Sequence, residues 1–319
     1  MINPRVDIAF KKIFGVEENK DILISLLNSI VSEHDQIDQI ELLNPYNERN
    51  YPLDKLSILD IKARNKNTGT YYLIEMQIAD ETDYHQRSLY CWARVYSNQL
   101  ASGTQYKNLK KTIAIHILNF TLIDYQSYEG WKEEYINKYH HCFTLQDKVT
   151  KVEIFDDLEI HTIELSKFEG LKSEDLNLVL SKVKGMLDAW VAILTRYALL
   201  DVNNLPTQIN TPEIKKALQI MQEMEFTAYE RDLYNTHLDF LRMEYSAFEK
   251  KFNDGMKKGR EEGLEKGREE GLEKGREEEK INIAKAMLRQ GIEIKLIALF
   301  TGLSEESVTK LIISDNTDT

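Results

Sequence analysis

The sequence predicts an α/β fold with a helical C-terminal region. Two helical patterns open the chain, a hairpin of two short apolar strands follows, and a further helix and strand come after the hairpin. Beyond residue 170 the strand-like runs cease, and apolar residues recur at helical spacing. We therefore expect a sheet flanked by helices, with the hairpin near its centre.

The elements of this core can be assigned from periodicity and turn residues. Leu89, Trp92, Tyr96 and Leu100 form the predicted apolar face of the helix that follows the hairpin. The predicted elements are two helices within residues 5–33, a strand at 37–43, the hairpin strands at 57–63 and 70–78, a helix at 80–102, and strands at 112–120 and 158–165. Helical patterns continue at 173–200 and 212–251.

Changes in composition divide the chain into four predicted segments. These are a core at 1–169, a helical subdomain at 170–252, a repeat rich in Gly, Glu, Arg and Lys at 253–280, and a small helical tail at 281–319. In the repeat a glycine recurs every four residues from Gly255 to Gly275, and each glycine costs a helix about 0.8–1 kcal/mol relative to alanine. The repeat is therefore predicted to be a frayed charged helix or a linker.

The tail resembles a small helix-turn-helix. Gly291 and Gly302 separate short apolar patterns, and Ser304 precedes two acidic residues as an N-cap would. No basic recognition face is evident. DNA reading, packing within the chain and dimer contact all remain open for the tail.

Composition restricts the class of protein. The net charge is −12 and the pI is about 5.2, which argues against a broad nucleic-acid-binding surface. Cys91 and Cys142 are too few for a disulfide framework and are predicted to be reduced, packed thiols, while His140-His141 reads as a solvated loop pair. No apolar run reaches the ~18–20 residues of a membrane span, so we expect a cytoplasmic protein with no membrane partner.

The hairpin carries acids on otherwise apolar strands. With a four-residue loop at 66–69, Arg64 would pair with Tyr71, Lys62 with Leu73, and Asp60 with Glu75. Directly opposed side chains have Cβ atoms ~4.5–5.5 Å apart, so two carboxylates there repel unless a cation or a shared proton intervenes. A divalent metal bound by Asp60 and Glu75 is the simplest solution. In the alternative interpretation, Lys62 or Arg64 neutralises the two carboxylates and the pair has only a structural role.

These residues resemble a known nuclease core. The order of Asp60, a hairpin and Glu75-Met76-Gln77 is similar to the PD-(D/E)XK (restriction-endonuclease-like) motif, with Gln77 in the place of the usual lysine. The segments at 7–15 and 87–96 and the charged repeat extend the likeness to the Rpn family of recombination-promoting nucleases, also described as PD-(D/E)XK nuclease family transposases. The resemblance implies a mixed central sheet.

The resemblance also implies a Mg²⁺ site, or a site for another divalent cation. Asp60 and Glu75 would be its carboxylate ligands, and the resemblance adds the carbonyl of Met76 and the carboxylate of Asp7. Asp7 equally suits the acidic first turn of a helix. Gln77 can orient a water or a phosphate but carries no charge.

A lysine from elsewhere would therefore be useful at such a site. Lys62, on the face of Asp60, and Lys55, just before the strand, are the candidates. Arg87 and Tyr90, on the next helix, are candidate contacts to substrate phosphate, and Arg87 also suits a surface ion pair.

The sequence thus predicts a metal-dependent DNA endonuclease. As the resemblance implies, it would act in recombination, on mobile elements or in defence. One alternative is a family member that has lost cleavage and binds DNA or protein. Another is a homo-oligomeric scaffold assembled through residues 250–313, with a purely structural hairpin.

Overall fold

The computed structural model of the chain describes residues 1–44, 61–79, 83–101, 103, 105–169 and 176–315. It divides into two units, Met1–Glu244 and Tyr245–Thr319, and the boundary falls within a long helix. Each unit contains its own cluster of buried apolar side chains.

The first unit is built on a mixed sheet. Its described strands are β1 (Ile40–Leu42), β2 (Ile61–Asn65), β3 (Tyr71–Gln77), β4 (Thr112–Leu118), β5 (His140–Leu145) and β6 (Phe155–Glu164), in the order β1-β2-β3-β4-β6-β5. Strands β3, β4 and β6 run parallel, whereas β1, β2 and β5 pair antiparallel with their neighbours. All seven side chains of β4 are buried, as expected for a central parallel strand. The predicted α/β class with a central mixed sheet is confirmed.

Helices flank this sheet. They are α1 (Asp7–Phe14), α2 (Lys20–Asn28), α3 (Tyr84–Ser97), α4 (Leu165–Glu169), α5 (Leu176–Leu180), α6 (Met186–Arg196), α7 (Pro212–Glu223) and the beginning of α8 (Ala228–Arg289). In α1, Asp7 lies in the first turn and two lysines lie in the last, which suits the helix dipole.

The hairpin has the predicted register over its described residues. Lys62 pairs with Leu73 and Arg64 with Tyr71, and the pairing extends to Ile61 and Ile74. The amide of Gly69 donates to the carbonyl of Asn65, which closes the predicted four-residue loop. Gly69 has φ +82°, a conformation that glycine adopts without steric cost.

The two faces of the sheet differ. Ile74 and Met76 of β3 belong to the main core, which also includes buried side chains of α1, α2, α6 and α7. On the other face, Leu73 packs with Cys91 and Val95 of α3. Because strand side chains alternate, Glu75 lies on the α3 face with Leu73.

Helix α3 corrects one sequence prediction. Its buried residues are Tyr84, Ser88, Cys91 and Val95, each one or a few positions before the predicted apolar face. Leu89 is 50% exposed. The small side chains of Ser88 and Cys91 face the sheet, while Trp92 reaches the edge of the interface and donates to the carbonyl of Thr112. Residues 80–82 and 102 of the predicted helix lie outside the described residues.

Strand β5 was not predicted. His140 and His141 lie on it rather than in a solvated loop, and His141 is buried against β6. Cys142 is exposed, whereas Cys91 is buried as predicted, and both are free thiols. The predicted helix at 173–200 is also divided in the described residues into α5 and α6.

The second unit is helical. Helix α8 continues through the whole glycine repeat, and α9 (Ile294–Thr301) and α10 (Glu305–Asp315) follow. Gly302 ends α9 with φ +71°, and Ser304 accepts the amide hydrogen of Ser307 as the predicted N-cap. Ala284, Ile297 and Val308 form a small apolar core. No helix in the described parts of either unit is long and apolar enough to cross a membrane.

Candidate active site

A cavity of about 690 Å³ lies in the first unit beside the C-terminal end of β3. It brings together residues from α1, β3, α3 and α8. The lining residues are Asp7, Lys11, Glu75, Met76, Gln77, Ile78, Ala79, Arg87, Tyr90, Cys91, His237 and Phe240. Six of the residues predicted from sequence to form the site therefore border one cavity.

Glu75 is the central charged group of this cavity. It is 3% exposed, and its Oε1 accepts a hydrogen bond of 2.6 Å from Nη2 of Arg87 on α3. A buried carboxylate needs such a partner because desolvation otherwise disfavours its charge. Arg87 thus forms an ion pair with this buried acid, while its own side chain remains 32% exposed and lines the cavity.

His116 on β4 lies beside the second oxygen of Glu75. Its Nδ1 is 3.5 Å from Oε2 of Glu75 and 2.8 Å from the hydroxyl of Tyr84. His116 is 1% exposed and Tyr84 fully buried, so both rings are fixed by packing. Oε2 of Glu75 has no hydrogen-bond partner among the described residues.

Helix α1 contributes an acid and a base to the same cavity. Asp7 and Lys11 lie one helical turn apart, and Nζ of Lys11 is 3.0 Å from Oδ1 of Asp7. Their side chains are 19% and 14% exposed, respectively. Asp7 therefore borders the cavity as the resemblance implied, and Lys11 is a cation that the sequence analysis did not single out.

Asp60, Lys55 and Lys62 were also predicted to belong to the site. Asp60 and Lys55 lie outside the described residues. Lys62 lies over the ring of Tyr71, with Nζ 5.6 Å from the ring centroid, and burial lowers the pKa of its ammonium group. Lys62 is not among the described residues that line the cavity, whereas Lys11 is.

Gln77 and Met76 border the cavity at the end of β3. The amide Nε2 of Gln77 donates to the carbonyl of Ala79 at 3.1 Å. The side chain of Met76 is 5% exposed and belongs to the main core on the opposite face of the sheet. If Met76 contributes to the site, it does so through its backbone, as the resemblance implied.

Tyr90 and Cys91 form part of the α3 wall. Tyr90 is 59% exposed, and the guanidinium of Arg94 lies 5.8 Å from its ring centroid. Burial, together with the nearby Glu75 carboxylate, raises the pKa of the Cys91 thiol. Cys91 therefore remains a neutral packing group at physiological pH.

Five of the residues assembled here were not predicted from the sequence, namely Lys11, Tyr84, His116, His237 and Phe240. Lys11 carries a weak signal, the i, i+4 spacing from Asp7, but His116 lies in an apolar run that reads only as a buried strand. His237 and Phe240 come from α8, far along the chain. They reach the cavity because the first part of α8 packs on the α1 region, where Tyr234 and Leu241 cluster with Val6, Ile8 and Ala9.

The residues present fit a divalent cation. Oε1 of Glu75 is fixed by Arg87, and Oε2 is buried with no described partner, so one carboxylate oxygen is left to bind a cation. Asp7 adds a second carboxylate to the cavity lining. Oxygen donors of this kind are the ligands that Mg²⁺ prefers.

Comparison with protein families gives two matches. Residues 4–251 match the PD-(D/E)XK nuclease family transposase, which covers more than half of the chain. Residues 277–312 match the C-terminal HTH domain of the Rpn/YhgA-like nuclease family, in agreement with the predicted helix-turn-helix. No curated protein and no solved structure matches the chain. The chain therefore belongs to the PD-(D/E)XK nuclease family transposases, and its C-terminal segment matches the HTH domain of the Rpn/YhgA-like nuclease family.

Proposed function

We propose that this protein is a metal-dependent DNA endonuclease that hydrolyses phosphodiester bonds with Mg²⁺. The observation that carries the proposal is the buried Glu75, which has one oxygen held by Arg87 and the other buried beside His116 with no hydrogen-bond partner among the described residues. A purely structural carboxylate would be expected to have both oxygens satisfied.

Asp60 is the proposed second ligand. In the hairpin Ile61 pairs with Ile74, and Asp60 and Glu75 are the next residues in the two antiparallel segments. The same register would make their side chains neighbours on one face. Asp7 and the carbonyl of Met76 are proposed as further oxygen donors. When bound, the metal would polarise the scissile phosphate and lower the pKa of the attacking water.

Positive charge near the phosphate is assigned to Lys11 and Arg87. The usual lysine of the motif is replaced by Gln77, and Lys62 lies over Tyr71. Lys11 lines the cavity and is held by Asp7, so it is the better placed lysine among the described residues. Gln77 would orient the water or a phosphate oxygen, and Tyr90 would contact the DNA backbone.

His116 and Tyr84 are proposed as positioning residues. Their hydrogen bond fixes the imidazole beside Oε2 of Glu75, and both side chains are buried. They would restrict the rotamers of Glu75 without contacting substrate. The family designation makes mobile DNA elements the proposed biological setting.

A DNA-binding protein that no longer cleaves is the second candidate. Gln77 removes a charge that the motif usually supplies, and the C-terminal HTH match supports DNA binding by itself. Such a protein would have the same fold and would bind DNA, but it would not hydrolyse it.

Calorimetric titration with Mn²⁺ tests the metal site separately from catalysis. We expect wild type to bind Mn²⁺ and the Asp60→Asn variant to lose most of that binding. Glu41→Gln, an exposed strand acid paired with Arg64 and outside the cavity lining, is the matched control and should bind like wild type. Equal binding by wild type and Asp60→Asn would reject Asp60 as a ligand. No binding by wild type would favour a purely structural hairpin, as in a scaffold.

A further inference from the structure

A second group of potential metal ligands lies on strands β5 and β6. Cys142, Glu159 and His161 each offer one ligand atom, and these three atoms lie within 4.8 Å of one another. Cys142 is paired directly with His161 across the two strands, and Glu159 precedes His161 by two residues on the same face. Side chains from two paired antiparallel strands thus converge on one point.

This cluster is separate from the candidate nuclease site. Residues of β6 alternate between faces, so Glu159 and His161 project away from the face that carries Ile160, which packs with α3 and Leu73. None of the three residues lines the cavity around Glu75. The chemistry also differs, because this cluster contains sulfur and nitrogen as well as oxygen.

Neighbouring groups hold the cluster from behind. Nζ of Lys111 lies 2.8 Å from Oε2 of Glu159 and 2.9 Å from Oδ2 of Asp35. Oε1 of Glu159 is 2.6 Å from Nε2 of His161, and Nδ1 of His161 is 2.9 Å from Nε2 of His140. Metal-binding histidines commonly use their second nitrogen in this way, to bond an outer neighbour.

Access and burial also suit a site of this kind. Glu159 and His161 are 7% and 2% exposed, whereas Cys142 is an exposed residue with a free thiol, although partial burial raises the pKa of that thiol. Strand β5 is at the edge of the sheet, so solvent reaches the cluster from the Cys142 side. Two of the potential ligands are therefore buried side chains already held close together, and the third lies on the exposed edge strand.

We propose that Cys142, Glu159 and His161 form a binding site for zinc or a similar borderline-soft divalent metal. The ligands would be the Cys142 thiolate, Oε1 of Glu159 and Nε2 of His161, with a water in the fourth position. On binding, the proton between Nε2 of His161 and Oε1 of Glu159 is released to solvent, and His161 takes the proton of its hydrogen bond with His140 onto Nδ1. His140 regains one proton from solvent on its Nδ1, so both imidazoles stay neutral and the histidines release no net proton. The Cys142 thiol releases one proton to solvent on binding, and no oxidation or reduction occurs.

The site charge is balanced under this assignment. One thiolate and one carboxylate neutralise a divalent ion, while Lys111 and Asp35 compensate each other in the outer layer. Mg²⁺ would be disfavoured because it prefers oxygen ligands in octahedral geometry. The site therefore selects a different metal from the one proposed at Glu75.

Cobalt substitution of the full-length protein tests the site. We expect the wild type to retain about one Co²⁺ with the intense thiolate-to-cobalt absorption that an all-oxygen site cannot produce, and Zn²⁺ to abolish that absorption by displacement. The Cys142→Ala variant should lose the band. Cys91→Ala, which removes the other cysteine, is the matched control and should keep it. Since Cys142 is exposed, its substitution should leave the fold intact, as circular dichroism can verify.

Proton release provides a second readout. In weakly buffered solution, zinc binding to wild type should release about one proton per metal, and Cys142→Ala should release none. Absence of the thiolate band in wild type, or an equal band in Cys142→Ala, would overturn the proposal. The thiolate band does not report on Glu75, so a loss of nuclease activity and a loss of this site are distinguishable.

Discussion

The environment of Glu75 shows how one buried acid can define a site. A carboxylate that is 3% exposed is stable only with compensation, and Arg87 supplies it from a different element. Strand alternation in the sequence puts Glu75 on the same face as Leu73, and the structure shows that α3 covers this face. The contact with Arg87 did not, because it depends on how α3 docks on the sheet, and the prediction of the buried α3 face was itself shifted along the helix.

Removing Arg87 should destabilise the fold through the charge left on Glu75. We expect Arg87→Ala to lower the free energy of unfolding by about 2 kcal/mol, less than for a fully buried pair because Arg87 is 32% exposed. Arg94→Ala, an exposed arginine on the same helix, should change it by under about 0.5 kcal/mol. Urea denaturation measures both. In a Glu75→Gln background the cost of Arg87→Ala should shrink, and an unchanged cost would refute the charge explanation.

Tyr72 should make the fold sensitive to alkaline pH. Burial raises the pKa of Tyr72 to about 12, and its hydroxyl donates to the carbonyl of Asp35. Because the folded pKa exceeds the unfolded value of about 10, this stabilising effect is complete below pH ~10 and is lost as the pH rises through ~12. Between pH ~10 and ~12, the free energy of unfolding of wild type should therefore fall by about 2–3 kcal/mol more than that of Tyr72→Phe.

The comparison is made by urea denaturation at about pH 9 and about pH 11.5. At the lower pH, Tyr72→Phe should cost about 1 kcal/mol for the missing hydrogen bond. Tyr106→Phe is the control, since Tyr106 is 83% exposed and should show no pH-dependent difference. If the free energy of unfolding falls equally at alkaline pH in wild type and Tyr72→Phe, the raised pKa of Tyr72 is not the cause.

At the scale of elements, the sequence predicted best those helices, strands and turns whose structure depends on residues close together in the chain. The hairpin loop and register and the glycine that ends α9 were both predictable from short segments. Strand β5 was missed because its edge position leaves polar and exposed residues on it, so no alternation is visible. The glycine repeat was only partly predictable, because propensity alone argued against the long helix that forms.

The glycines of α8 should reduce the local stability of that helix. A Cβ added at Gly259, Gly267 or Gly275 would meet no other atom within 4 Å, so alanine fits without clashes. Each substitution should stabilise the helix by about 0.5–1 kcal/mol. The triple variant should therefore slow hydrogen exchange of nearby amides about 30-fold, equivalent to about 2 kcal/mol.

Mass spectrometry of exchanged peptides measures this effect. Glu261→Ala, at an exposed position that already has a side chain, is the control and should change exchange little. Faster exchange in the glycine variant, or a change in its solution mass, would show that the glycines make close contacts with another copy of the chain. That outcome would favour the homo-oligomeric alternative.

At the scale of the whole molecule, the acidic charge of the chain limits the DNA binding that we propose. The net charge is −12, and the segment matched to the HTH domain contains five basic residues (Lys280, Lys285, Arg289, Lys295 and Lys310) against six glutamates. Few phosphate contacts are therefore available from this segment. DNA binding should depend on salt, but with a shallower slope than that of a strongly basic protein.

Deleting the tail tests its contribution. A chain ending at residue 276 removes the whole HTH match, including the apolar core of Ala284, Ile297 and Val308, without cutting through that core. We expect weaker DNA binding in fluorescence anisotropy but residual cleavage at high enzyme concentration, because the candidate site lies in the first unit. Undiminished affinity would assign the tail to contacts within or between chains.

Fold class and family could be inferred from sequence because both depend on motifs in short segments. The full candidate site could not, since it joins residues as distant as Lys11 and His237. Asp60, the first residue suggested by the sequence, lies outside the described residues, so its role remains a prediction.

Nicking of supercoiled plasmid by purified protein, with Mg²⁺ or with chelator, tests the central claim most directly. Wild type and Glu41→Gln should nick the plasmid only with Mg²⁺, and Glu75→Gln and Asp60→Asn should be inactive while remaining folded. Glu75→Gln removes the metal-binding charge but keeps the shape of the side chain and its contact with Arg87. No nicking by wild type with any divalent metal, or equal nicking by wild type and Glu75→Gln, would contradict the account.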